Sequence, residues 1–358
     1  MLRTRTLLTA LLGLALLAGS AQADLTDSLQ KGTPDIKSIG PLAFGPDGVL
    51  FLGDFQGAAI FAIDTGDRTP AGNDAVKVEG IDGKIASLLG IDPKQLLIRD
   101  LKVNPASGKL YLSVSRGRTP DSPSVLLRLD RKGHLEEVPL KDVKFAKAVI
   151  ANPAEGRDRP QAITCIEFVN GKVYVSGLSN EQFASTLRAI SFPFTATDQG
   201  TAVEIYHGNH GRFETRSPVR TFTPYDIKGE LHLLAGYTCT PLVKFPVTSL
   251  KAGAKVQGIT IAELGNRNTP LDMFVYQKDG KDYILMANTS RGVMKITTDN
   301  IDKIEPITKP VGGIAGLKYD TIKEWQGVEQ LAKLDNARAV ILVRTPTGGL
   351  NLETVPLP

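Results

Sequence analysis

Tryptophan is nearly missing from this chain: Trp325 is the only one. Cofactors made from paired tryptophans, and pockets lined by repeated tryptophan motifs, are therefore excluded. Only two cysteines occur, Cys165 and Cys239, and neither lies in a Cys-x-x-Cys-His sequence. Covalent haem attachment is excluded with them. There is no Gly-x-Ser-x-Gly elbow and no phosphate-binding P-loop. After the first residues no apolar run is long enough to cross a bilayer. No Pro/Ser-rich stretch divides the chain, so residues 24–358 read as one domain.

The first residues read as a targeting signal. Arg3 and Arg5 precede an apolar stretch at 7–17, and Ala21-Gln22-Ala23 is a small-residue cleavage site. Residues 1–23 are thus expected to be a signal peptide, and the protein periplasmic or secreted. No cysteine near the site suggests a lipid anchor. The formal charge is +4, and falls to +2 without Arg3 and Arg5. That balance gives no reason to expect nucleic acid as a partner.

What the chain does have is a repeat. Residues 39–64 show it best: a short apolar strand, a turn on Gly45-Pro46-Asp47-Gly48, then two more apolar strands. Inner strands are expected at 40–44, 99–103, 164–168, 220–224, 271–275 and 315–319. Their third positions are all apolar: Leu42, Leu101, Ile166, Phe222, Met273 and Leu317. Turns such as Asn170-Gly171 and Asp279-Gly280 lead to second strands. A recurring all-β unit means a radial array, a β-propeller of six blades or, with a degenerate extra unit, seven. The segments 83–90, 143–151 and 321–334 read as helical insertions. Residues 25–38 are placed to supply the missing outer strand of the last blade, which would remove an exposed sheet edge.

The repeat sorts residues onto two faces. Lysines fall in the tight hairpins of one face. Arginines fall at loops and strand ends of the other: Arg99, Arg116, Arg220, Arg291 and Arg344 are the best placed near a central channel. Arginine suits bidentate contact with carboxylate or phosphate. The same arginines can also pair locally with acids or pack their stems on apolar surface. Asp54, Asp100, Asn180, Asp272 and Asn288 fall on the same face. Asp54, Asp100 and Asp272 are the candidate catalytic carboxylates. Asn180 and Asn288 are candidate ligand contacts. Asp54, Asp272 and Asn288 offer the oxygen ligands that a divalent cation such as Ca²⁺ needs. His207 and His210, separated by Gly208-Asn209, are weaker metal candidates in a loop, where Glu214 is the only nearby carboxylate. Cys165 and Cys239 fall near the same face of adjacent repeats. A disulfide is the first reading, with buried thiols or a metal role as alternatives.

The stretch Ile39-Gly-Pro-Leu-Ala-Phe-Gly-Pro-Asp-Gly-Val-Leu-Phe-Leu-Gly-Asp54 resembles the opening blade of the regucalcin/gluconolactonase, strictosidine-synthase-like and NHL-type propellers. The resemblance covers one blade well and the rhythm of most of the chain. It implies a six-bladed propeller and, in the lactonase branch, metal-dependent lactone hydrolysis. That branch carries a metal-binding Glu just before the Gly-Pro, where this chain has Ile39. Two functions follow. One is an exported propeller binding an anionic small molecule, a glycan or another exported protein. The other is a divergent metal-dependent hydrolase in which a carboxylate acts as base.

Overall fold

The computed structural model describes residues 25–195, 199–239 and 241–358. The proposed signal segment lies outside them, so its reading is untested by the fold. Among the described residues no helix is long and apolar enough to cross a membrane.

Six sheets, antiparallel apart from one parallel pairing of Thr201–His207 with Lys255–Gln257, surround a central channel. In chain order their innermost strands are Leu42–Phe44 in blade I, Leu97–Val103 in blade II and Cys165–Val169 in blade III. Val219–Ile227 follows in blade IV, Pro270–Lys278 in blade V and Val328–Lys333 in blade VI. Each pairs with a second strand that is buried on both sides between neighbouring blades. Val49–Asp54 and Leu110–Ser115 are buried at every position, so these strands read as continuous apolar runs. Three of the inner hairpins turn on two residues with positive φ. They are Asn170-Gly171, Lys228-Gly229 and Asp279-Gly280. Only that backbone twist matches the strands it joins.

The blades do not circle in chain order. Blade I packs against blade II through Leu42, Phe61, Tyr111 and Leu126, and against blade III through Phe51, Ile166 and Val175. Blade II packs against blade VI through Leu101, Leu112, Val340 and Leu352. The remaining interfaces join III to IV, IV to V and V to VI. The ring therefore runs I, III, IV, V, VI, II. The chain leaves blade I after Ala59–Asp64. It adds Lys77–Val78 to the outer edge of blade VI and builds all of blade II. It then returns to complete blade I with Val143–Val149.

Several expectations need correcting. Residues 143–151 are not helical: Val143–Val149 is a strand that pairs with Ala59–Asp64. Residues 321–334 are not helical either, but hold Tyr319–Ile322 at the outer edge of blade V and the inner strand Val328–Lys333. The sixth inner strand is therefore not 315–319. Ile314–Gly316 instead edges blade IV. Leu317 is buried, but between outer strands, and Leu331 takes the inner-strand position. Gln30–Gly32 joins blade I, not the last blade. The remaining helical expectation holds as Ile81–Leu89, closed by Gly90 in the left-handed conformation.

Candidate functional site

In four of the six inner strands the ladder slips by one residue at the same height. The slipped residues are Arg99 in blade II, Arg220 in blade IV, Leu271 in blade V and Glu329 in blade VI. A bulge bends the strand and re-aims its side chains. The residues just beyond, Asp100, Thr221, Asp272 and Gln330, line the channel mouth together with Cys165 of blade III and Pro41 of blade I. Two residues further along, the strand period brings Lys102 and Glu167 into the channel.

The mouth is a cavity of about 310 Å³. Arg99 and Arg220 flank it from blades on opposite sides of the ring. Both are half-buried, and the Nε of each is buried without a hydrogen-bond partner among the described residues. Among the described residues no acid forms an ion pair with either. Arg99 lies over the Phe55 ring, 5.0 Å from its centroid. Burial draws both guanidiniums below their ordinary pKa range.

The floor is acidic and tied to the neighbouring blades. Asp100 accepts from Leu42 N at 2.7 Å and from Leu101 N at 2.8 Å. Asp272 accepts from Leu331 N at 3.0 Å. Burial raises the pKa of Asp100, Glu167 and Asp272, and Asp272 reaches about 7. Burial also opposes charge on Lys102, but the surrounding Asp100, Glu167 and Asp272 outweigh it and hold the ammonium above its ordinary value. Lys102 stands 3.5 Å from Glu167 and separates the mouth from a second cavity of about 250 Å³ at the other end of the channel.

The other sequence candidates lie elsewhere. Asp54 caps a turn, accepting from Lys37 N, Ser38 N, Ser38 Oγ and Gly57 N at 2.8–2.9 Å. Asn288 is buried and bonded to Asn268, Met286 O and Gly292 O. Asn180 is exposed and donates to Glu155. Arg116 pairs with Glu137 at 3.3 Å, and Arg344 grips Glu329 through Nε and Nη2. Arg291 donates to Asn266 O. The channel thus collects Arg99, Arg220, Asp100 and Asp272 from the sequence candidates and adds Lys102, Glu167, Thr221 and Gln330.

The expected disulfide does not form: Cys165 and Cys239 are both thiols. Cys165 faces the channel, its sulfur 3.9 Å from Phe222 O, and burial pushes its pKa up to about 12. Cys239 lies in the loop after Glu230–Tyr237 and lines a different pocket, with His207 and His210. In that pocket burial would raise the Glu214 pKa. Hydrogen bonds from His207, Ser217 and His210 outweigh it and hold the carboxyl well below its usual range.

No family model matches the chain, and no curated protein does. Solved structures match the chain at low identity and low TM-score. The PQQ-bound aldose sugar dehydrogenase of Streptomyces coelicolor is 12% identical with a TM-score of 0.35, over 92% of this chain and 97% of that one. A putative oxidoreductase (glucose dehydrogenase) of Thermus thermophilus is 12% identical with a TM-score of 0.37, over 91% and 99%. Drosophila Semaphorin 1b, extracellular domains 1–2, is 9% identical with a TM-score of 0.41, over 92% and 87%. At these scores none bears on activity.

Proposed function

We propose that this protein is an exported binding protein that seats a small anionic molecule, a carboxylate or phosphate ester, in the mouth of its propeller channel. The observation that carries the reading is the pair Arg99 and Arg220: two half-buried guanidiniums, with no ion-pair partner among the described residues, facing one cavity from opposite blades. Guanidinium forks match carboxylate and phosphate geometry, and a cavity of about 310 Å³ suits a small ligand. Arg99, Arg220 and Lys102 balance Asp100, Glu167 and Asp272 when all six are charged. With Asp272 at about 7, protonation tips the site positive near neutral pH. The signal-like residues 1–23 support export, with 24–358 as the mature domain.

Isothermal titration with sugar acids and sugar phosphates tests this. Saturable binding is expected for one class, lost in Arg99→Ala and Arg220→Ala. Equal binding by wild type and both variants would overturn it.

One observation favours a second reading, the hydrolase alternative. A carboxyl near pKa 7 facing a cavity is poised for proton transfer, and Asp272 is such a group. The resemblance to the gluconolactonase group supports lactones as first substrates. Ile39, almost wholly buried, offers no ligand where that group has its Glu. Lactone turnover lost in Asp272→Asn would favour this reading; no turnover of lactones or esters would remove it.

A further inference from the structure

The junction of blades III and IV carries a second cluster, independent of the channel. Thr201–His207 ends in a tight turn, where His207 O accepts from His210 N and Gly211 N, and Arg212–Glu214 returns beside it. This hairpin places both imidazoles on one carboxylate. His207 Nδ1 meets Glu214 Oε2 at 3.1 Å, and His210 Nδ1 meets Oε1 at 2.6 Å. The rings stack with centroids 3.8 Å apart. From blade IV, Cys239 approaches on a backbone at φ 66°, its N–H bonded to Asn268 O at 2.7 Å. One ring nitrogen of each histidine and the Cys239 sulfur lie within 4.8 Å of one another.

We propose that His207, His210 and Cys239 form a three-donor site for a thiophilic transition-metal ion, copper or zinc. Glu214 engages both Nδ1 atoms, which fixes the tautomers and leaves the Nε2 atoms as donors. A carboxylate behind a ligating imidazole is the usual outer partner in such sites. His207 supplies the independent sign of a missing partner. Its side chain is 2% exposed, yet among the described residues its Nε2 finds no hydrogen-bond partner. The nearest described acid on that side, Glu263, stands 3.9 Å away and is committed to Gly208 N and Asn209 Nδ2. A buried polar atom without a partner is costly, and a metal ion removes that cost. Two imidazoles and a thiolate suit copper or zinc, whereas Ca²⁺ requires oxygen ligands. Metal–donor bonds of about 2.0–2.3 Å require only small side-chain adjustments from the present spacing. A fourth coordination position opens to a pocket of about 490 Å³ that Arg212 and Arg216 also line, so water or a small anion completes the shell.

Co²⁺ titration of the metal-stripped full-length mature protein provides the test, because a thiolate bound to cobalt gives a charge-transfer band. Wild type is expected to develop the band at one equivalent and to lose it to Zn²⁺ or Cu²⁺, but not to Ca²⁺. Cys239→Ser abolishes the band. Cys165→Ser, which alters only the channel thiol, keeps it, as does Arg220→Ala. His210→Ala, at a half-exposed position where folding is least threatened, weakens binding about 10- to 100-fold, the scale set by changes around such ligands. Circular dichroism establishes that each variant folds. A folded wild type without the band, a band lost in Cys165→Ser instead of Cys239→Ser, or displacement by Ca²⁺ would each overturn the proposal. Rapid alkylation of Cys239 that metal does not slow would also overturn it, and would point to a nucleophilic thiol.

Discussion

Blades II, IV and VI use one backbone device for opposite ends. Each inner strand slips by a residue at the same height. In blades II and IV the slipped residue is an arginine that pairs with no acid among the described residues, and it faces the channel. In blade VI it is Glu329, which turns away from the channel mouth and is held by Arg344. The same bulge therefore serves both ends, and the side chain and its partners decide whether the position becomes a docking point or an ion pair. Arg220 and Arg344 are alike in sequence as strand-end arginines. They differ in whether an acid stands within reach: the adjoining strand of the same blade brings Glu329 to Arg344, and among the described residues no acid pairs with Arg220.

The double variant Arg99→Ala/Arg220→Ala tests this contrast most severely. Charge-assisted hydrogen bonds contribute about 1.5–3 kcal/mol each, so anion affinity should fall roughly 10- to 100-fold per arginine, read by calorimetry. Next in size is a pH effect. As pH falls through about 7, Asp272 takes up a proton and the mouth gains positive charge. Anion affinity should rise about tenfold from pH 8 to pH 6, on the scale of one pKa unit of coupling. Asp272→Asn should flatten that profile while retaining an acceptor for Leu331 N. The same substitution should raise the melting temperature at pH 8 by a few degrees. The raised pKa of Asp272 means that the fold is favoured with the group protonated, so stability is fullest below the unfolded value and declines as pH rises through about 7. Removing the ionisable group removes that decline, a shift readable by scanning calorimetry at pH 5 and pH 8. Smallest is Arg344→Ala. It breaks an exposed pair of the kind that contributes about 0–1 kcal/mol, so it should move the melting temperature little and leave anion affinity unchanged. A large affinity loss in Arg344→Ala would erase the distinction between the two kinds of arginine.

The sequence exposed the propeller because its hairpins are local. Asn170-Gly171 and Asp279-Gly280 turn where their residue types require, and five of the six inner strands lie where the apolar third position puts them. The ring order was hidden, because Leu42, Leu101 and Leu331 look alike on paper and a closing strand of two residues, Lys77–Val78, carries no pattern. Residues 321–334 misled for a related reason: a short edge strand beside a short inner strand mixes its polar and apolar positions much as a helix does. In the channel, Asp100 and Asp272 were legible as strand-end acids. Lys102 and Glu167 were not, since an inner strand facing a channel has the alternation of a strand facing solvent. The one signal available was spacing, two residues beyond Asp100 and Cys165. Cysteine pairing failed because adjacent repeats do not imply facing side chains: Cys165 points into the channel, and Cys239 toward the hairpin of blade III.

The order of the blades has a consequence for how the molecule can be assembled and rearranged. Blade I stays unfinished while the chain builds blade II, and Lys77–Val78 has no partner until Leu350–Pro356, the last strand, is in place. No early portion of the chain can close on itself, so the decisive pairings span most of its length, which slows folding. Nor is blade II a removable cassette. Excising it with its flanking strands would unseal blade VI on one side and blade I on the other. In most repeat arrays a unit can be gained or lost with its neighbours intact; here two seams are sewn with the same thread, and the count of six is locked.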